Sequence, residues 1–206
     1  MSVKTLQGSR FRITKGVYVA ATTDVSHYIR VQGIMLALPP RTIATGVTGL
    51  QLLGVAVGPE VPMTFATTHP WPVRRRDVKV MRLKQSPPHR NGVAAPEHCW
   101  LRAASTLNLL DLVTAGDWLI RLGRTTLARS TRRCRDIGSR AVAARAAMKL
   151  VRERVDSPRE TWLRLCLVLA GLPMPECNLV IGDDQGPIGR VDLVYMAVPA
   201  DHRVRG

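Results

Sequence analysis

The sequence is poor in aromatic residues, in acidic residues and in long apolar runs. Only nine of its 206 residues are Trp, Tyr or Phe, so base stacking on an aromatic platform is not an expected binding mode. The longest nearly unbroken apolar stretch, residues 165–172, is far shorter than the roughly 18 residues of a membrane-spanning helix. We therefore expect no membrane-spanning segment and no membrane partner.

Targeting and metal-binding signals are also missing. The first sixteen residues mix basic and polar side chains without an apolar core, so no secretory signal is legible and we expect a cytoplasmic protein. The four cysteines are widely spaced, with no C-x-x-C pair and no histidine set placed to complete a zinc site. We expect them to be reduced thiols.

Charge is the feature that departs most from an average protein. Thirty Lys and Arg residues against fifteen Asp and Glu give a net charge of +15, and twenty-five of the thirty are arginines. Residues 74–90 contain seven basic residues and one acid, and residues 129–154 contain nine basic residues and two acids. Such concentrated segments are typical of a protein that binds a polyanion. The predicted phosphate-contacting residues are Arg74, Arg75, Arg76, Arg132, Arg133, Arg135, Arg140 and Arg145. The alternative is a solvated basic surface.

Hydrophobic periodicity predicts an α+β chain with three regions. Residues 10–85 indicate a mixed region of strands and helices, in which a rigid arginine- and proline-rich loop at residues 69–76, called the arginine-rich loop, joins two strands. Residues 86–154 begin with a proline-rich linker and then turn helical, with one helix predicted over 129–154. Residues 155–206 contain a helix that begins at Ser157 and then a β-hairpin. Because that helix is apolar nearly all round, we expect it to be buried on every side.

Two carboxylates stand out in the last region. Glu160 is the third residue of the helix that begins after Ser157, and Asp192 lies inside the second hairpin strand, where aspartate is disfavoured unless it is paired or coordinating. A helix glutamate followed by a hairpin aspartate is how PD-(D/E)xK nucleases bring carboxylates to one magnesium ion. Two alternatives remain open. Glu160 can cap its own helix, and Asp192 can accept backbone hydrogen bonds or pair with Arg190.

Short sequence motifs along the chain occur in the same order as in a known protein family. Upstream they are KGVYV at 15–19, ALPP at 37–40, TGVT at 45–48, TTHP at 67–70, LDLV at 110–113 and GDWL at 116–119. Around the carboxylates they are DSPRET at 156–161, LRL at 163–165, AGLP at 170–173, PE at 175–176 and RVDL at 190–193. Over residues 10–195 the chain resembles actinobacterial AbiEi-type antitoxin-like proteins that carry an endonuclease-like domain related to very-short-patch-repair enzymes.

This resemblance implies a toxin–antitoxin protein whose last region is a partial restriction-endonuclease-like core. It implies that Glu160 and Asp192 are catalytic, metal-binding residues, with Mg²⁺ as the cofactor if the module is active. In the family the strand pair continues to a second carboxylate near the metal, whereas the only later acid here is Asp201. We therefore expect a C-terminally truncated, inactive nuclease module in a DNA-associated protein. We expect weak DNA binding with little sequence preference, and a cognate toxin as a further partner.

Two other functions remain open at this point. One is a working Mg²⁺-dependent DNA endonuclease, and the other is a basic protein-interaction module that binds an acidic partner such as a toxin. DNA binding through arginine predicts an affinity that falls linearly in log salt, and cleavage predicts metal-dependent nicking. The protein-interaction module predicts neither result.

Overall fold

A computed structural model of the chain shows an α+β fold, as the sequence predicts. It describes residues 10–70, 72–136, 142–184 and 186–196, which contain seven helices and nine strands. The chain divides into two compact units, Met1–Asn108 and Leu109–Gly206, here called the first and the second unit. The predicted helical region, residues 86–154, spans the boundary between them.

The first unit contains a β-hairpin and a five-stranded mixed sheet. Its elements are β1 (Arg10–Thr14), β2 (Val17–Ala20), α1 (His27–Leu36), β3 (Ile43–Ala44), α2 (Gly46–Leu52), β4 (Met63–Thr67), β5 (Val78–Arg82), β6 (His89–Arg90), β7 (Val93–Ala94) and α3 (Pro96–Ala103). The sheet order is β5-β4-β3-β7-β6, with parallel pairing of β4 to β5 and of β3 to β7. Buried side chains from α1, β3 and β4 form its core, among them Val31, Ile34, Met63 and Phe65.

Local sequence signals account for the elements around the arginine-rich loop. Gly16 has φ of +88° at the turn between β1 and β2, a conformation that glycine adopts without steric cost. Ser26 caps α1, because its side chain accepts a hydrogen bond of 3.3 Å from the backbone N–H of Ile29. The loop then reaches β5 through Asp77, whose φ is +63°. The β1–β2 hairpin, α1 and the loop all belong to the first unit.

The second unit has four helices followed by a hairpin. Its elements are α4 (Leu109–Arg121), α5 (Leu127–Asp136), α6 (Val142–Leu150), α7 (Pro158–Leu169), β8 (Glu176–Asp183) and β9 (Gly186–Val194). The prediction of one helix continuing to residue 154 is wrong, because α6 ends at Leu150. Arg154 has φ of +60°, a left-handed backbone conformation that a right-handed helix cannot contain.

The predicted burial of α7 on every side is also wrong. Trp162 is 50% exposed and Leu163 is 56% exposed, whereas Arg164 is fully buried. The reason is the position of Arg164, which faces inward to pair with Asp117 of α4. On a helix of 3.6 residues per turn, directing this residue inward turns part of the apolar surface of α7 toward solvent.

None of the helices in the described residues combines the length and apolar character that crossing a membrane requires.

Candidate nucleic-acid interface

A basic cleft of about 890 Å³ lies in the first unit, between the β1–β2 hairpin, α1 and the arginine-rich loop. Among the described residues, six basic side chains line it: Arg12, Lys15, Arg30, Arg74, Arg75 and Arg76. All except Arg75 are exposed. We call this feature the arginine cleft. Because five solvated cations surround one concavity, it is a region of concentrated positive potential.

Two acidic residues also line the arginine cleft, Glu60 and Asp77. Glu60 Oε2 lies 3.5 Å from Nδ1 of His27, so it forms an ion pair when that histidine is protonated. Two carboxylates against six basic groups leave the cleft with excess positive charge. The cleft is therefore suited to an anionic ligand.

Arg75 differs from its neighbours because its guanidinium group is held by the protein. Its Nη1 donates a hydrogen bond of 3.2 Å to the hydroxyl of Thr14 in β1, and its Nη2 donates one of 2.8 Å to the carbonyl of Ala37 after α1. These bonds link the loop to the two elements that carry Arg12 and Arg30. Arg75 thus positions the walls of the cleft, while Arg74 and Arg76 form no hydrogen bond or ion pair with another described residue.

Sequence reasoning named Arg74, Arg75 and Arg76 but missed three residues that line the same cleft. Arg12 lies in β1, Lys15 lies in the turn that follows β1, and Arg30 lies on the exposed side of α1. All three are more than forty positions from Arg74 in the sequence, so no local pattern links them to the loop. The cleft is a consequence of tertiary packing.

The second predicted arginine group lies on α5. Arg132, Arg133 and Arg135 are exposed, because the buried side chains of this helix are Ser130 and Cys134. Arg145 lies on α6 and is partly buried, and Arg140 lies outside the described residues. The exposed arginines of α5 belong to the second unit, whereas the arginine cleft belongs to the first.

Glu160 is bound by its own helix and by the hairpin. Ser157 accepts a hydrogen bond from the backbone N–H of Glu160, and Glu160 Oε2 accepts one of 3.0 Å from the backbone N–H of Asp156. The same oxygen accepts a hydrogen bond of 2.7 Å from Nδ2 of Asn178 in β8. Asn178 also donates to the carbonyl of Arg154, at 2.6 Å. Glu160 therefore caps the start of α7 and also connects α7 to strand β8 of the hairpin.

Asp192 occupies an exposed position on β9. Cys177 pairs with Leu193 and Leu179 pairs with Val191, which places Asp192 across the hairpin from Asn178. Its carboxylate forms no hydrogen bond or ion pair with another described residue. Exposure explains how an aspartate is tolerated inside this strand, because the charge stays in water.

Arg190 pairs with Asp156 rather than with Asp192, and Nε of Arg190 donates a hydrogen bond of 2.9 Å to Oδ1 of Asn178. The other oxygen of Asp156 lies 2.7 Å from Nε of Arg121. Two guanidinium groups therefore neutralise the carboxylate of Asp156, the residue whose backbone N–H binds Glu160.

The contacts of Glu160 leave only one of its two oxygens for a metal ion. Oε2 already accepts two hydrogen bonds, while a magnesium ion requires carboxylate oxygens that are free to coordinate it. Within the described residues, no three His, Cys, Asp or Glu side chains gather into a group that could hold a metal ion. We therefore derive no catalytic step through a metal.

A buried ion pair in the second unit was not predicted from the sequence. Asp117 Oδ2 lies 2.6 Å from Nη2 of Arg164, and it also accepts a hydrogen bond of 2.8 Å from the hydroxyl of Thr161. Asp117 Oδ1 accepts one of 2.8 Å from the backbone N–H of Arg152. Burial raises the pKa of Asp117, and these contacts oppose part of that rise. The pair holds α7 against α4 and has a structural role.

Comparison of the chain with protein-family models, with curated proteins and with solved structures finds no match. The similarity to AbiEi-type antitoxins and to very-short-patch-repair enzymes therefore remains a prediction from the sequence.

Proposed function

We propose that this chain associates with DNA by binding the phosphate backbone through the arginine cleft, and that it is not a nuclease. The observation that carries the proposal is the convergence of Arg12, Lys15, Arg30, Arg74 and Arg76 on one concavity. Guanidinium groups form charge-assisted hydrogen bonds with phosphate oxygens. Backbone contacts of this kind carry no direct sequence information, so little sequence preference is expected.

The grouping of the charges favours this function over a solvated basic surface. Arginines dispersed for solubility have no reason to share a cavity wall, because like charges repel one another at short range. In the arginine cleft, the hydrogen bonds of Arg75 to β1 and to the end of α1 hold two basic walls beside the loop. An arrangement that gathers repelling groups is stabilised by an anion that lies between them.

The exposed arginines of α5 and the resemblance to AbiEi-type antitoxins support the same proposal. We include α5 as a second, independent phosphate-binding surface. A cognate toxin is what the antitoxin-like resemblance adds to the proposal, and the sequence prediction of a cytoplasmic location stays part of it. The contacts of Glu160 and Asp156 support the absence of nuclease chemistry.

The experiment compares two variants that remove the same charge from the first unit. The cleft variant carries Arg74→Ser and Arg76→Ser. The control variant carries Arg90→Ser on β6, at the opposite edge of the sheet from β5, and Arg102→Ser on α3. Both control residues are exposed, and neither lines the cleft. Fluorescence anisotropy measures binding to two unrelated duplexes of about 20 base pairs at low salt.

We expect the wild-type chain to bind both duplexes with similar affinity. The cleft variant should bind about tenfold more weakly, and the control variant should bind nearly as well as wild type. Equal weakening by both variants would indicate that only net charge matters, and it would contradict the proposal.

A further inference from the structure

Apolar side chains line the arginine cleft beside its basic ones; we call the apolar group its floor and the exposed basic group its rim. The floor consists of Ile13, Ile34, Val61 and Met63, of which Ile34 and Met63 are almost completely buried and belong to the core. Val61 is 51% exposed, and Ile13 is partly exposed. Phosphate binding alone does not require such a floor, because a phosphate group makes hydrogen bonds and ion pairs. An apolar floor fits a ligand that has both anionic and flat, weakly polar parts.

The size of the cleft favours single-stranded over double-stranded nucleic acid as its ligand. A duplex keeps its bases stacked inside and presents phosphates on its outer surface, and proteins read its bases by inserting a helix or strands into a groove. A concavity of about 890 Å³ is in the size range of small-molecule sites. It cannot enclose a duplex, and against a duplex its floor would stay unoccupied.

A single strand can occupy both parts of the cleft. Its backbone can follow the basic rim while an unstacked base turns inward and covers apolar side chains. No described residue that lines the cleft is aromatic. The contact with the base would therefore be aliphatic, with guanidinium groups beside it.

We propose that the arginine cleft binds a single nucleic-acid strand, with phosphates on Arg12, Arg30, Arg74 and Arg76 and a base against Ile13 and Val61. This inference rests on the proposed function, because it assumes that the cleft is the phosphate-binding site. It adds that single-stranded DNA is preferred over duplex DNA, and that part of the affinity comes from the bases.

The test uses the full chain and probes of equal length. They are a labelled oligothymidylate of about twelve nucleotides, the same strand paired to its complement, and a strand of abasic sites with the same number of phosphates. The abasic strand is the matched control for charge, because it lacks only the bases. Binding is measured by anisotropy at one salt concentration for the wild type, the cleft variant and the control variant.

We expect the oligothymidylate to bind about tenfold more tightly than either the duplex or the abasic strand. The cleft variant should lose this preference, and the control variant should keep it. Competition with free thymidine monophosphate should not displace the strand at comparable concentrations, because one phosphate occupies only part of the rim.

Three results would overturn the inference. They are duplex binding as tight as single-strand binding, abasic binding as tight as that of oligothymidylate, and displacement of the strand by the free nucleotide. If duplex and single strand bind equally and both depend on Arg74 and Arg76, the proposed function stands and only this inference fails. If no binding depends on these residues, the proposed function fails as well.

Discussion

Arg164 of α7 and Asp117 of α4 form an ion pair inside the second unit, with 2.6 Å between Nη2 and Oδ2. Both side chains are almost completely removed from solvent. Nη1 of Arg164 also donates a hydrogen bond of 2.7 Å to the carbonyl of Leu150, after which α6 ends. One guanidinium group thereby connects three helices.

Removing one partner of this pair should destabilise the second unit strongly. Asp117→Leu leaves the charge of Arg164 buried without its carboxylate, and it should lower the free energy of unfolding by about 3–5 kcal/mol. The double substitution with Arg164→Met removes both charges and should cost less than Asp117→Leu alone. Urea unfolding followed by circular dichroism measures these differences. Additive losses in the double variant would show that the two groups are not coupled.

Two leucines on α7 should respond differently to the same substitution. Leu165 is buried and Leu163 is 56% exposed. We expect Leu165→Ala to cost about 2–5 kcal/mol of unfolding free energy, because it leaves a cavity, and Leu163→Ala to change it by about 0.5 kcal/mol or less. The same urea experiment measures both variants. Equal losses would contradict the orientation of α7.

The start of α7 could be predicted from the sequence, and its orientation could not. Ser157 and Glu160 are three residues apart, so their capping contact is local and can be predicted from the sequence. The partner of Arg164 is 47 residues away, and nothing local indicates that an arginine takes the inward position. The sequence alone therefore predicts that the apolar residues of α7 belong to the core.

The same distinction holds for the candidate site. Arg74, Arg75 and Arg76 are consecutive in the sequence, and this run of basic residues predicts a phosphate-binding segment. Arg12 and Arg30 join it only because the hairpin and α1 pack beside the loop. The hydrogen bonds from Arg75 to Thr14 and Ala37 also depend on this packing. The positioning role of Arg75 was therefore not predictable from the sequence.

The exposed cysteine on α7 should react faster with a thiol reagent than the three buried cysteines. Cys166 is exposed, and the other three cysteines are buried. Burial raises the pKa of Cys99 to about 12 and that of Cys134 to about 11, and it also raises the pKa of Cys177. At about pH 8 these three thiols stay protonated, and the thiolate is the reactive form.

Iodoacetamide should therefore label the native chain once, at Cys166, as measured by intact mass and peptide mapping. Raising the pH to about 9 should not add rapid labelling at Cys99 or Cys134, because the pKa values of these thiols are higher. Cys166→Ser should remove the rapid labelling of the native chain. Rapid labelling of a second cysteine in the native chain would contradict the described burial.

The contacts of Glu160 predict the outcome of a nuclease assay. We expect no nicking of supercoiled plasmid with Mg²⁺ or Mn²⁺, because Glu160 caps α7 and holds Asn178. Glu160→Ala should instead lower stability by about 1 kcal/mol through the lost cap. Metal-dependent nicking that disappears in both Glu160→Ala and Asp192→Ala would show a working site and would overturn this prediction.

The central claim is that the cations of the arginine cleft contact nucleic-acid phosphates, and the salt dependence of duplex binding tests it most directly. Each phosphate contact contributes about 0.9 to the slope of log affinity against log salt. The account predicts a slope shallower by about two for Arg74→Ser with Arg76→Ser, and an unchanged slope for Arg90→Ser with Arg102→Ser. A slope in the cleft variant equal to that of wild type would contradict it.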